Sequence, residues 1–172
     1  MQFQEECHYA CPADTLLQVF SDKEFFLAKY RLSGASNICV QECEDNDADS
    51  RIRVSRDVAV DVTVPAFARR YIPQKMTVIQ TDSWDHRQRT GQIQIELKGL
   101  PASIFCSMYM DEVAGGTKLT LNFIVRVNLP LIGKRLARLL ANDIREKFGR
   151  EVKAAQVALD QIVRSYREYA VG

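Results

Sequence analysis

The sequence predicts an α+β fold in which one antiparallel sheet of seven strands curls around a long C-terminal helix. Three observations predict it. Apolar residues at every second position mark a strand at the start of the chain, and then a run of strands between residues 36 and 128. Two short helical patterns separate that first strand from the rest. After Pro130 the apolar spacing changes from 2 to about 3.6 and keeps that period to the end. Strands grouped together with helices at the ends belong to α+β proteins rather than to alternating parallel sheets.

Residues 2–10 place Phe3, Glu5, Cys7 and Tyr9 on one face of a strand. Pro12 suits the first turn of a helix through Leu16, Leu17, Val19 and Phe20. Ser21-Asp22-Lys23-Glu24 is a capping-box pattern opening a second helix with Phe25, Phe26 and Tyr30, which Gly34 closes. Strands at 36–44 and 51–64 flank a polar hairpin loop, 45–50. The second alternates Ile52, Val54, Arg56, Val58, Val60, Val62 and Val64 before Pro65, and residues 66–71 form a helical turn. Further strands follow at 75–84, ending in Trp84, at 91–98 and at 102–112. Gly115-Gly116 turns into a strand carrying Leu119, Leu121, Phe123, Val125 and Val127. The last stripe runs from Ile132 through Leu136, Ile144, Phe148 and Val152 to Tyr166, a helix of roughly 36 residues and 50 Å. A sheet of this size twists and curls, and only that helix is long enough to cover its concave face. A curled sheet around one helix leaves a space between them.

The 172 residues are the usual size of one domain. A formal charge of +1 makes nucleic acid a poor partner. No uncharged apolar run reaches the roughly 18 residues of a membrane span. The acidic Met1–Glu6 start lacks the apolar stretch of a secretory signal, so the expected location is cytoplasmic. Five cysteines, an odd count, fit reduced thiols. Cys7/Cys11 and Cys39/Cys43 lie in or beside strands, where four residues span about 13 Å, too far apart for one metal ion. From residue 130 onward nine Lys/Arg face five Asp/Glu, so the segment carries +4 and the rest of the chain −3. That excess suits peripheral contact with an anionic membrane or an acidic partner, and equally the solvated back of an amphipathic helix.

No Gly-x-Ser-x-Gly elbow, phosphate loop or dinucleotide fingerprint occurs, and no cofactor is expected. Asp45, Asp47 and Asp49 resemble half a calcium loop, but Ser50 and Arg56 stand where Gly and Glu are needed. His8 and His86 lack metal-ligand spacing. Arg56 is the informative polar residue, because it interrupts the face made by Ile52, Val54, Val58 and Val60. Gln80 and Asp82 share the next strand's apolar face with Met76, Val78 and Trp84, close to Arg56 if the two strands pair. A guanidinium there offers a ligand carboxylate or phosphate a fork of donors. An internal ion pair, or a bulge that turns Arg56 outward, accounts for the same pattern. Tyr9, Met108, Tyr109, Phe123, Phe148 and Val152 complete the candidate cavity wall, with Phe105 and Met110 as further aromatic and Met positions. Gly149 offers the long helix a place to bend.

The whole chain resembles the helix-grip fold of the START-like superfamily (SRPBCC), which includes the birch-pollen allergen type and polyketide cyclases. Tyr9–Asp14 and Phe20–Phe25 look like that superfamily's strand-to-helix opening. Arg56, Val64–Arg70, Trp84, Gly99-Leu100-Pro101, Gly115-Gly116-Thr117 and Leu129–Gly133 look like an uncharacterised bacterial START-like family of unknown function. The resemblance implies a binder of a lipid or other hydrophobic small molecule. Two alternatives stand beside it: a cyclase- or hydrolase-like enzyme using Arg56, Asp82 and Tyr109, and a protein-interaction module whose cavity is filled by its own side chains.

Overall fold

The protein is described by a computed structural model covering residues 1–61 and 63–172. Its elements are β1 (Gln2–Tyr9), α1 (Ala13–Phe20), α2 (Lys23–Leu32), β2 (Ser36–Asp45), β3 (Asp49–Ala59), β4 (Lys75–Asp85), β5 (Thr90–Leu97), β6 (Ala102–Val113), β7 (Gly116–Val127) and α3 (Gly133–Val171). The seven strands form one sheet in the order β1-β7-β6-β5-β4-β3-β2. Every pairing is antiparallel, and β1 closes against β7, the last strand in sequence.

Local chemistry sets the junctions. The predicted capping box at Ser21 is replaced by a simpler cap: Asp22 is the N-cap of α2 and accepts from the Glu24 N–H at 2.9 Å. Ser21 ends α1 instead, its N–H donating to Leu17 O, while its hydroxyl donates to Ser50 Oγ at 2.8 Å. The β2–β3 hairpin is tighter than predicted, because the Asn46 side-chain carbonyl accepts from the N–H of Ala48 and of Asp49. That turn frees Asp49 and Ser50 to join β3.

β3 stops at Ala59 rather than running to residue 64. Val60 adds one more bond to Gln74 O, and Val62 lies outside the described residues. Val64, Phe67 and Tyr71 then pack with Ala68 and Ile72 against Leu136 and Leu139 of α3. The continued valine alternation therefore feeds a second, small core, and burial against α3 wins over strand propensity. Residues 65–72 make the predicted turn, with Ala68 N–H donating to Pro65 O.

α3 packs along β7 and β1, and α2 bridges from α3 to β2. α3 is buried through Leu136, Ala137 and Ala141 near its start and through Ala158, Leu159 and Ile162 further on. Between them Ile144, Phe148 and Val152 are only half-buried. The Tyr166 hydroxyl donates to Asp22 Oδ2 at 2.6 Å, so the carboxylate that caps α2 also holds the far end of α3. Much of α3's basic excess is engaged by its own chain: Arg145 pairs with Glu5, Lys147 with Asp61 and Asp143, and Arg150 with Asp61. Among the described residues no helix is long and apolar enough to cross a membrane.

Candidate functional site

α3 rests mainly on β7 and β1, and its middle faces strands β3 to β5 across a gap. The gap holds two adjoining cavities of about 270 and 220 Å³, which share Arg56, Ile95, Ile144 and Lys147 in their walls. The larger is walled by Phe20 of α1, Phe25 and Phe26 of α2, Trp84 of β4, Met108 of β6, Phe123 of β7 and Phe148 of α3. Phe20 sets the angles of this wall, lying edge-on to Tyr9 at 5.7 Å and 6.0 Å from Trp84. Trp84 in turn lies on Gly91, its partner on β5; a Cβ there would fall 2.7 Å from the indole ring. Only glycine leaves room for the indole.

One corner of this apolar space is polar. The β3–β4 register sets Val54 opposite Gln80 and Ile52 opposite Asp82, so Arg56, Gln80 and Asp82 share the inner face. Arg56 Nη2 donates to Gln80 Oε1 at 3.1 Å, and Gln80 Nε2 donates to Asp82 Oδ1 at 2.8 Å. The guanidinium carbon of Arg56 lies 3.8 Å from the centroid of the Tyr30 ring. Lys29 Nζ sits 4.8 to 5.3 Å from the ring centroids of Tyr30, Phe26 and Phe25. Neither cation forms an ion pair with a carboxylate among the described residues.

Burial pushes the Asp82 carboxyl above the usual carboxylate range, against the pull of Lys29, the Gln80 hydrogen bond and Arg56. Burial likewise pushes Lys29 down, with Asp82 opposing. The Tyr30 phenol is pushed up by the same loss of water. Tyr30 Oη and Arg56 Nη1 are buried without a hydrogen-bond partner. Each such orphan costs about 1–3 kcal/mol. The two lie side by side in the cavity wall, with hydrogen-bonding capacity that the protein itself does not use.

A family described as "Protein of unknown function (DUF2505)" matches residues 4–159. The chain belongs to this family. No curated protein matches the sequence. Among solved structures, TTHA0849 from Thermus thermophilus superposes with a TM-score of 0.65 at 15% identity, covering 94% of this chain and 99% of its own. Ara h 8.0201 gives 0.59 at 14% identity over 94% and 98%. The Zhui aromatase/cyclase from Streptomyces sp. R1128 gives 0.54 at 13% identity over 92% and 90%. The resemblance stated from sequence holds: this DUF2505 chain has the START-like helix-grip fold.

The structure brings Tyr9, Arg56, Gln80, Asp82, Trp84, Met108, Phe123, Phe148 and Val152 to the wall of the larger cavity of this DUF2505 chain. Met76 lines the smaller one. Tyr109 lines neither. It is 45% exposed and belongs to an open polar depression on the outer face with Gln92 and Ser107. The reason is strand parity: Met108 and Met110 point inward, so the residue between them must point out. The same rule turns Phe105 away from the cavities. Met110 points inward but is plain core, and a Cβ on Gly149 meets open space.

Lys29 and Tyr30 are polar site residues that sequence reading did not assign, and Phe20, Phe25 and Phe26 of the apolar wall went unassigned with them. Their signal was present, since Lys29 stands three and four residues after Phe26 and Phe25 on an apolar helical stripe. His86, by contrast, lies outside both cavities, 3.3 Å from Ser21 Oγ and 3.8 Å from Asp45.

Proposed function

We propose that residues 1–172 act as one binding or carrier unit for a hydrophobic small molecule or lipid, held between the sheet and α3. The observation that carries this reading is the open, aromatic-lined space of about 270 Å³ beside the half-buried middle of α3. The fold shared with the Zhui aromatase/cyclase supports it. The open space counts against an interaction module whose cavity is filled from within. The catalytic reading loses its proposed phenol, because Tyr109 is on the other side of the sheet from Arg56 and Asp82. The five free thiols, of which Cys39 and Cys43 are exposed, support a cytoplasmic setting.

Denaturing mass spectrometry of solvent extracts from the purified protein tests the reading, together with titration against a panel of lipids and polyaromatic molecules. The expected result is a co-purified apolar molecule, or a panel member that binds at one site per chain. An empty extract and no binding across the panel would overturn it.

A further inference from the structure

The waist between the two cavities gathers polar groups deep in the site, and their bonding is incomplete. Arg56 contributes to both cavities, spends Nη2 on Gln80 and leaves Nη1 without a partner. Tyr30, 2% exposed and stacked under that guanidinium, leaves its hydroxyl without one. Lys29 brings a second positive charge to the same ring. Against these two cations stands one buried carboxylate, Asp82, already bonded to Gln80. The remaining charges nearby are accounted for. Lys147 is paired with Asp61 and Asp143, and Glu151, exposed in the cavity wall, acts on Lys29 and Tyr30 only as a minor charge beside Asp82.

We infer that the ligand is an apolar molecule carrying a single carboxylate; this rests on the hydrophobic-ligand reading above. Its oxygens accept hydrogen bonds from Arg56 Nη1 and the Tyr30 hydroxyl, and Lys29 supplies the balancing charge. The apolar body lies between Trp84, Phe123 and Phe148. Arg56 Nη1 can only donate and the Tyr30 hydroxyl can donate as well, so a group that accepts twice satisfies both. The polar corner sets two half-buried cations, Arg56 and Lys29, against one buried carboxylate, Asp82, so an anionic complement suits it, and a single negative charge balances that corner. An alcohol brings no charge. An alkyl phosphate carries close to two at neutral pH and leaves an excess buried.

The experiment compares matched probes on the full chain by calorimetry at neutral pH. The first pair is decanoate and decanol, and the second is 2-naphthoate and 2-naphthylmethanol, with 2-naphthyl phosphate added. The expected result is that at least one acid binds ten or more times tighter than its alcohol, and that naphthyl phosphate binds more weakly than naphthoate. Tyr30→Phe removes a hydroxyl that has no partner in the free protein, so the fold is expected to survive. It should weaken the acid about fivefold and the alcohol by clearly less. Arg56→Gln should remove the acid's advantage altogether. An alcohol that binds as tightly as its acid overturns the carboxylate assignment and leaves the cavity reading standing. Phosphate binding tighter than carboxylate overturns the charge count. Binding by none of the five probes overturns the carboxylate and counts against the cavity reading with it.

Discussion

The ends of α3 and its middle carry the same apolar stripe and do different work. At the ends, Leu136, Ala137, Ala141, Ala158 and Leu159 are buried, and the alanines let the helix press closely onto its neighbours. In the middle, Ile144, Phe148 and Val152 are larger, yet they remain half-buried because they face open space. A 3.6-residue period says which face of a helix is apolar. What stands opposite that face decides whether it becomes core or container.

The comparison breaks most directly at Leu136. Its side chain is wholly buried, so Leu136→Ala should cost about 3 kcal/mol in urea unfolding, whereas Ile144→Ala should cost about 1 kcal/mol or less. Equal losses would erase the distinction between end and middle. Gly91→Ala is next, at about 2 kcal/mol, because the new methyl group meets the Trp84 ring at 2.7 Å and Ser83 O at 2.9 Å. Trp84 is the chain's one tryptophan, so its emission should report displacement from the cavity wall.

Filling the middle sharpens the contrast. Val152→Phe places new volume where α3 has room, and should leave stability within about 0.5 kcal/mol of the wild type while weakening the bound apolar probe tenfold or more. An unchanged affinity would place the ligand elsewhere.

The smallest effect concerns acid. Asp82 has its carboxyl raised above 3.8 in the folded chain, so protonation favours folding, and Asp82 adds stability as pH falls from its raised value toward 3.8. Half-buried Asp57 and exposed Asp61 are held low by their partners, Asn37 and Thr77 for one and Lys147 for the other; they act with the opposite sign and lose stability on acidification. Asp82→Asn removes only the first contribution. Unfolding midpoints between pH 7 and pH 4 should therefore fall more steeply in the variant than in the wild type, by less than about 1 kcal/mol. Parallel curves would mean that Asp82 is not buried as an anion.

The architecture was legible because two periods, 2 and 3.6, change at Pro130 and nothing competes with them. Arg56 beside Gln80 was legible too, since an antiparallel neighbour with a short connection brings inward positions into diagonal contact. The error at Tyr109 came from choosing residues by type: Met108 and Tyr109 are adjacent and cannot share a face. Lys29 escaped notice because a lysine in a short surface helix normally points its charge at water. Here the helix lies across the sheet's open end, and three rings take up the ammonium instead. The cavities themselves were not readable residue by residue, because they depend on where a rigid helix rests on a curved sheet.

Asp22 and Tyr166 meet across 144 positions of sequence. α2, which carries Lys29 and Tyr30, is synthesised well before the turn of α3 that clamps its cap. Until Tyr166 arrives, one wall of the cavity lacks its fastening. The hydrogen bond thus ties the position of α2, and with it one wall of the cavity, to the last turns of α3.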